Sequence, residues 1–202
     1  MRAVTEIVIA TNNRHKLEEI SAILKEAPVR LIPLAEYPDA PELKEEGATY
    51  AENAVHKART IARYTGKWAL GDDTGLEVDA LNGQPGLYSA RFAGEGVTFA
   101  DNRRKLLRLM ESVPTEKRTA TFRTVLALVA PSGETHVVEG VLRGRIAEQE
   151  RGSGGFGYDA VFDLPELGKT YAELTSEEKN RISHRAHAVQ KIREHLKNIV
   201  GV

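Results

Sequence analysis

Two adjacent aspartates stand at the end of an apolar stretch early in the chain. The segment GDDTG, residues 71–75, follows KWAL and brings Asp72, Asp73 and Thr74 together between two glycines. Carboxylate oxygens are hard ligands that suit Mg²⁺, which usually keeps waters and substrate phosphates beside them. If the strand persists here, the two aspartates point to opposite faces, so that one faces a ligand and the other is structural. A turn closed by an aspartate side chain is the alternative interpretation.

A second acidic pair, Glu45 and Glu46, precedes a predicted helix in the stretch ELKEEGATY. Either glutamate could supply another oxygen to a metal ion. The alternative is a solvated charge pair near a helix N-terminus, where negative charge is favourable. The sequence leaves open which of the two glutamates would face a metal.

A polar turn near the N-terminus is a candidate phosphate site. TNNRHK comprises Thr11, Asn12, Asn13, Arg14, His15 and Lys16, and it follows an apolar run of strand type. Helix N–H groups are exposed at such a turn, and Lys16, one turn into the helix, can reach a phosphate oxygen. A capped helix start with a solvated lysine explains the same residues.

The stretch RGSGGFGYD, residues 151–159, contains the spelling G-x-G-x-x-G at Gly152, Gly154 and Gly157. A dinucleotide fingerprint requires a helix directly after its last glycine. Here a short strand-like run ending in Pro165 follows, so we do not expect a phosphate loop. Glycines allow close approach to a flat ligand, an aromatic ring can stack, and a carboxylate can accept from a base edge. Phe156, Gly157, Tyr158 and Asp159 therefore indicate a nucleobase pocket, with a structural turn as the alternative.

The last predicted helix carries a basic group. Lys179, His184 and Arg185 lie close together in sequence, with His187 nearby, and cationic donors there could meet an exocyclic oxygen of a ligand. A solvated charged face is the alternative. His184 and His187 have helical spacing, but nothing nearby completes a transition-metal site.

The pattern of elements predicts an α/β protein. TEIVIAT, a helix from NNRHK onward with Asn12 or Asn13 as its cap, and VRLIPL form a βαβ unit. A helix capped by a Thr49–Glu52 capping box ends at Gly66, and the strand KWALGDD is expected to end at its carboxylates, with Gly71 and Gly75 in a tight turn. A helix over 99–113, a long β-hairpin from Arg118 that could run through two lobes, and one helix over 175–200 with a Thr175–Glu178 capping box complete the prediction.

Composition excludes several classes of protein. There are no cysteines among the 202 residues, which excludes disulfides, thiolate metal sites and a thiol nucleophile. The net charge of −1 argues against a general nucleic-acid or membrane surface, so an anionic ligand must meet local positive charge. No apolar run is long enough to cross a bilayer, and the N-terminus leads directly into strand-like sequence; we therefore expect a cytoplasmic protein.

Five segments in register resemble the Ham1/inosine triphosphatase family across essentially the whole chain. They are TNNRHK, EEGATYAENAVHKA, GDDTGLEVDALNGQPGLYSARFAG, GSGGFGYDAVF and EEKNRISHRAHA. The resemblance implies a single α/β domain over residues 1–202, with an elongated mixed sheet flanked by helices and two lobes around a central nucleotide-binding cleft. It further implies a homodimer that hydrolyses ITP, dITP and XTP to the monophosphate and pyrophosphate with Mg²⁺.

The resemblance also assigns roles to residues. Thr11 to Lys16 would bind the triphosphate, and Glu45 and Asp73 would hold the metal, with Asp73 also activating water. Thr74, where many relatives have serine, would contact the substrate. The residues that would surround the base are Phe156, Gly157, Tyr158, Asp159, Lys179, His184 and Arg185. The alternatives are a Maf-like pyrophosphatase of other base specificity, a non-catalytic nucleotide-binding module and a nicotinamide oxidoreductase, which would need a helix after Gly157.

Overall fold

The computed structural model describes residues 4–200. Its strands are β1 (Thr5–Ala10), β2 (Val29–Pro33), β3 (Trp68–Val78), β4 (Pro85–Gly86), β5 (Thr119–Val129), β6 (Thr135–Ile146), β7 (Phe162–Leu164) and β8 (Lys169–Thr170). Its α-helices are α1 (Arg14–Ile23), α2 (Tyr50–Thr65), α3 (Phe99–Met110), α4 (Ser176–Ile182) and α5 (His184–Val200). The predicted α/β class, the opening βαβ unit and the β5–β6 hairpin are thereby confirmed.

The strands form one mixed sheet in the order β2-β1-β3-β5-β6-β7-β8, with β4 paired to β3. β1 is parallel to both β2 and β3, whereas β4, β7 and β8 join by antiparallel pairs. Parallel strands buried on both faces read as continuous apolar runs, as β1 does. The register pairs Ala10 with Gly71, so β3 extends past the last residue of β1 and carries Asp72 and Asp73 beyond it.

The described chain divides into two compact units. The first comprises residues 4–73, 124–140 and 184–200, and the second comprises residues 74–123 and 141–183. In the first unit, α2 packs on one face of the strands, with Ala54, Ala58 and Ile61 against Val8 and Ala69. α1 and α5 pack on the other face, against the core side chains Ile7, Ile9, Leu70, Leu126 and Leu128.

The second unit has its own apolar core. Its buried members include Leu76, Phe92, Leu106, Phe122, Tyr158, Phe162 and Tyr171. The rings of Phe122 and Phe162 lie 4.4 Å apart between centroids, in close contact. Aromatic pairs stabilise a core beyond the area they bury. β5 and β6 contribute residues to both units.

Local signals explain the helix ends. Asn13 is the N-cap of α1 and accepts from the Lys16 N–H, and Gly66 ends α2 with φ of 66°. Thr49 caps α2 as predicted, but Glu52 accepts from the Ala48 N–H at 2.7 Å, so the reciprocal half of the predicted capping box is displaced by one residue. The Thr175–Glu178 capping box is present at α4.

Two predicted boundaries are wrong. β3 does not end at its carboxylates but continues to Val78, because Asp72 and Asp73 find bonding partners on either face of the strand. Gly71 therefore lies within the strand and not in a turn; a Cβ there would lie 2.2 Å from the Ala54 carbonyl oxygen of α2. The helix predicted over 175–200 is two helices, because Ser183 has extended backbone, with φ of −67° and ψ of 154°.

Within residues 4–200, none of the helices combines the length and the apolar character needed to cross a bilayer.

Candidate active site

Asp72 and Asp73 occupy alternate faces of β3, as expected for consecutive strand residues. Asp72 bonds to side chains of α1 and α5, and Asp73 bonds to side chains of α2. Both are buried, with exposed fractions of 1% and 5%. A buried carboxylate needs an opposite charge or a hydrogen-bond donor, and each aspartate has both.

Asp72 is the centre of a buried ionic group. Lys16 of α1 pairs with one carboxylate oxygen, and Nε of Arg185 donates to the other at 2.9 Å. Arg185 also pairs with Glu19 of α1. Burial alone would raise the pKa of Asp72, but Lys16 and Arg185 outweigh it and hold that pKa far below its usual range. Asp72 is therefore ionised and ties the start of α1 to α5.

Asp73 faces a different set of partners. Nδ2 of Asn53 donates to its Oδ2 at 3.0 Å, and Nζ of Lys57 lies 3.6 Å from its Oδ1. Lys57 also donates to Glu45 at 2.6 Å, so one ammonium joins the two carboxylates. Burial raises the pKa of Asp73 against the opposing effects of Lys57 and Asn53, and the charge of Glu45 raises it further.

The structure distinguishes the two upstream glutamates. Glu45 contacts Lys57 beside Asp73, and its side chain is 37% exposed. Glu46 instead lies 3.8 Å from Lys44, and its side chain is 78% exposed. Glu45 is therefore the glutamate placed with Asp73.

The polar turn after β1 lies next to these acids. Thr11 accepts from the Asn13 N–H at 3.1 Å, and Asn13 caps α1, so the turn is held by its own side chains. Lys16 points to Asp72, whereas Arg14 pairs with Glu18 on the exposed side of the helix. Asn12 and His15 are exposed. Among these six residues, Lys16 forms an ion pair with Asp72 of β3.

The glycine-rich loop of the second unit is organised around Asp159. Oδ2 of Asp159 accepts from the Phe156 N–H at 3.1 Å and from Nζ of Lys179 at 2.7 Å. A Cβ on Gly155 would lie 1.9 Å from Asp159 Oδ2 and 2.2 Å from Lys179 Nζ, so only a glycine fits over this ion pair. The predicted neighbours Phe156, Asp159 and Lys179 are thus together.

Tyr158 does not present a stacking face. Its side chain is buried, its hydroxyl donates to the Ser89 carbonyl at 2.8 Å, and its ring packs edge-on against Phe99. Phe156 is half-buried. The stacking role predicted for an aromatic ring therefore fits Phe156, while the place of Tyr158 among the residues around the base stays a prediction.

The chain after Gly157 rules out a dinucleotide fingerprint. A single 3₁₀ turn over Asp159–Val161 leads into β7, so no α-helix begins there. This confirms the prediction that no helix follows Gly157, so the G-x-G-x-x-G spelling lacks the helix N-terminus that a dinucleotide fingerprint requires.

The basic group of the C-terminal region is divided between two helices. Lys179 lies on α4 in the second unit, whereas His184, Arg185 and His187 lie on α5 in the first. His184 is 4% exposed, and burial together with the neighbouring Arg185 lowers its pKa well below the usual value. It is therefore a neutral imidazole at pH 7. Thr74 is half-buried on β3, directly after Asp73.

Sequence reasoning missed Asn53, Lys57 and Glu19. Asn53 and Lys57 are one helical turn apart and are buried beside the apolar stripe of α2, with exposed fractions of 3% and 4%. Polar residues at positions i and i+4 next to an alanine stripe are a signal that the face is directed at something polar. Glu19 had no such signal, because its partner Arg185 is far along the chain.

The acidic pair Glu45 and Asp73 is the candidate metal site. Within residues 4–200, no three His, Asp or Glu side chains are grouped so as to hold a metal ion. Glu45 and Asp73 nevertheless converge on one cation, the Lys57 ammonium. Mg²⁺ is commonly held by one or two carboxylates together with waters and substrate phosphates. A two-carboxylate donor set therefore fits Mg²⁺ that arrives with a phosphate ligand.

Fold and site together define a mixed α/β protein that presents ionic side chains where β1 ends and its parallel pairing with β3 stops. The carboxyl ends of parallel strands are the usual ligand position in such sheets. The family comparison is more specific: the model of the Ham1 family matches residues 7–195, and the chain belongs to this family.

Individual relatives match over nearly their whole length. The chain is 52% identical to a dITP/XTP pyrophosphatase of Geobacillus kaustophilus, over 97% of this chain and 96% of the relative. It is 49% identical to a dITP/XTP pyrophosphatase of Geobacter sulfurreducens, over 96% and 97% respectively. Among solved structures, a HAM1 protein from Coxiella burnetii matches with a TM-score of 0.87 and 40% identity, over 96% of this chain and all of that one.

Proposed function

We propose that this protein hydrolyses non-canonical purine nucleoside triphosphates, ITP, dITP and XTP, to the monophosphate and pyrophosphate. Relatives named dITP/XTP pyrophosphatase support the substrate class at about half identity over nearly the full chain. The observation that carries the proposal is the pair of carboxylates, Glu45 and Asp73, gathered around one ammonium next to the polar turn after β1.

The triphosphate is assigned to the first unit. Lys16, the N–H groups of the turn from Thr11 to Lys16, and Lys57 supply positive charge beside the ionised Asp72. A phosphate that binds Lys16 competes with Asp72 for the same ammonium. When Lys16 binds phosphate, the ion pair with Arg185 still compensates the charge of Asp72. Thr74 follows Asp73 on β3 and is assigned a hydroxyl contact to the substrate.

The reaction is attack of water on the α-phosphorus, with pyrophosphate as the leaving group. Bound Mg²⁺ would neutralise charge that develops on the phosphate oxygens, and Glu45 and Asp73 are the residues that would hold it. Asp73 orients the attacking water and accepts its proton at a carboxylate oxygen. Its raised pKa makes it a better proton acceptor than an ordinary aspartate, since basicity rises with pKa. Lys16 and Lys57 stabilise the charge that forms as the anhydride bond breaks.

The base is assigned to the loop and the ion pair of the second unit. Phe156 offers a ring for stacking, and Lys179, fixed by Asp159, offers a donor to the 6-oxo group of hypoxanthine or xanthine. Adenine has an amino donor in that position, which would face the ammonium and leave both groups unpaired. His184 and Arg185 are also assigned to the base by the family resemblance, Arg185 with its orientation fixed by Asp72 and Glu19.

Three finer assignments belong to the proposal. Mg²⁺ as the metal is supported by the two-carboxylate donor set, the cytoplasm as the location is the expectation from the sequence, and a homodimer as the assembly rests on the family resemblance alone. Sedimentation at micromolar concentration tests the dimer, and replacement of Mg²⁺ by Ca²⁺ in the reaction tests the metal.

The proposal is tested by pyrophosphate release from ITP, dITP, XTP, GTP, ATP and dTTP with Mg²⁺. We expect turnover of ITP, dITP and XTP to exceed that of ATP and dTTP by a wide margin. A preference for dTTP would indicate a Maf-like pyrophosphatase instead. Tight nucleotide binding without pyrophosphate release would indicate a non-catalytic binding module.

A further inference from the structure

We infer that Asn53 is a positioning residue for Asp73, whose amide holds one carboxylate oxygen so that the other faces Lys57 and Glu45. The inference rests on the proposed hydrolysis, in which Asp73 orients the attacking water. Asn53 itself lies on α2 and is 3% exposed, so it acts through Asp73 and not on the nucleotide.

The orientation of the Asn53 amide is determined by its two neighbours. The Gly47 N–H points at one end of the amide at 2.8 Å and can only donate, so the atom that it meets is Oδ1. The other end is therefore Nδ2, which lies 3.0 Å from Oδ2 of Asp73 and donates to it. The two contacts agree, and a flipped amide would set donor against donor at Gly47.

Asn53 thereby joins two segments that carry the acidic residues. One contact is to the loop that contains Glu45 and Gly47, and the other is to β3 at Asp73. The fit at Gly47 is close, because a Cβ there would lie 2.7 Å from Asn53 Oδ1 and 2.8 Å from Glu52 Cβ. Lys57, one helical turn further along α2, makes the second connection between the same segments.

As a consequence, the two carboxylate oxygens of Asp73 have different partners. Oδ2 accepts the amide hydrogen, whereas Oδ1 is the oxygen near the Lys57 ammonium. A carboxylate held in this way cannot rotate to exchange its oxygens without breaking the Asn53 bond. Holding a reactive group in one orientation increases the reaction rate. Loss of a supporting contact typically reduces activity about 10- to 100-fold.

Asn53→Asp removes the donor and sets a second carboxylate against Asp73. The substitution keeps the size of the side chain and an oxygen for the Gly47 N–H, but replaces Nδ2 by an oxygen facing Asp73. We expect kcat for XTP to fall about 10- to 100-fold with little change in KM, because the lost contact does not touch the nucleotide. Asn102→Asp is the matched control: Asn102 is also fully buried and bridges two backbone groups, the Ala93 N–H and the Ala90 carbonyl.

A second readout needs no metal and no turnover. Thermal unfolding in EDTA is compared for the wild type, Asn53→Asp, Asp73→Asn and the double variant. We expect Asn53→Asp to lower Tm markedly in the wild-type background, where it faces the Asp73 carboxylate. In the Asp73→Asn background the loss of Tm should be small, because the amide at position 73 can donate to the new carboxylate. Equal losses of Tm in both backgrounds would show that Asn53 serves only Gly47, and would overturn the inference.

Gly47→Ala is a second variant that tests the positioning role of Asn53 if Asn53→Asp does not fold. The added methyl displaces the Asn53 amide while every acidic side chain remains, so we expect a reduced kcat with KM retained. Wild-type kcat in Gly47→Ala, or a loss in Asn53→Asp no greater than in Asn102→Asp, would overturn the positioning role. Failure of the proposed function is seen separately, as absence of pyrophosphate release from XTP by the wild type.

Discussion

Asp72 and Asp73 are consecutive residues whose carboxylates bond to side chains on opposite faces of the sheet. Asp72 joins Lys16 and Arg185, and Asp73 joins Asn53 and Lys57. Asp72 has two cationic partners and a strongly lowered pKa, whereas burial leaves Asp73 with a raised one. The strand thus places the carboxylate with two cationic partners on one face and, on the other, the carboxylate that we propose to be the reactive one.

Asp72→Asn should destabilise the fold severely. Removal of the charge leaves Lys16 and Arg185 buried without their common counter-ion, and breaking a buried ion pair in this way costs roughly 3 to 5 kcal/mol. Denaturant unfolding measures the loss. Glu18→Gln, which removes an exposed pair with Arg14, is the control and should cost about 1 kcal/mol or less. A change of similar size in the two variants would contradict the structural role of Asp72.

Removal of divalent metal should abolish turnover without unfolding the protein. Glu45 and Asp73 are already bonded to the Lys57 ammonium, and Asp73 also to the Asn53 amide, so their charges do not need a metal ion for folding. We expect EDTA to leave Tm unchanged and to stop pyrophosphate release, with recovery when Mg²⁺ is restored. A large drop of Tm in EDTA would show that the metal is structural.

The two aromatic residues of the glycine-rich loop should behave differently. Phe156→Ala is expected to weaken nucleotide binding by about 1 to 3 kcal/mol, the usual effect of losing a ring that stacks on a base. Tyr158→Phe loses the bond to the Ser89 carbonyl and should cost about 1 kcal/mol of stability with little effect on KM. The reverse pattern, in which Tyr158→Phe raises KM and Phe156→Ala does not, would contradict the assignment of base stacking to Phe156.

The neutral His184 should make stability depend on pH. Its pKa in the folded protein is lowered, so below about pH 6.5 the unfolded chain binds a proton that the folded protein does not. The free energy of unfolding therefore decreases as the pH is lowered through this range. Between pH 6.5 and 5 this amounts to roughly 2 kcal/mol or less. We expect His184→Gln to remove this part of the pH dependence of the unfolding free energy, whereas His56→Gln, at an exposed position, serves as the control. Parallel curves for the wild type and His184→Gln would contradict the prediction.

Much of the fold is encoded locally and could be predicted. The apolar run of β1, the Asn13 and Thr49 caps and the glycine that ends α2 act within a few residues. The strand boundary at Asp73 could not be predicted in this way, because aspartates are normally depleted in strands. β3 continues through them, and Lys16, Arg185, Asn53 and Lys57, which belong to three helices, bond to the two carboxylates.

For the candidate site, the sequence predicted which residues take part better than it predicted which residues they contact. The sequence singled out Lys16, Glu45, Asp73, Asp159 and Lys179. The structure pairs Asp159 with Lys179, places Glu45 and Asp73 around Lys57, and pairs Lys16 with Asp72. The Lys16–Asp72–Arg185 connection spans 113 residues between Asp72 and Arg185, and no local pattern reports it. The break at Ser183 was likewise missed, because neither proline nor glycine marks it.

The most direct test is the Asp73→Asn variant, assayed for XTP turnover and for nucleotide binding in the same preparation. Because the variant keeps an acceptor for the Asn53 amide but loses the proton acceptor, kcat should fall about 100- to 10,000-fold, while XTP still binds and Tm is retained. A variant that still releases pyrophosphate at close to the wild-type rate would contradict the assignment of Asp73 as the residue that activates water.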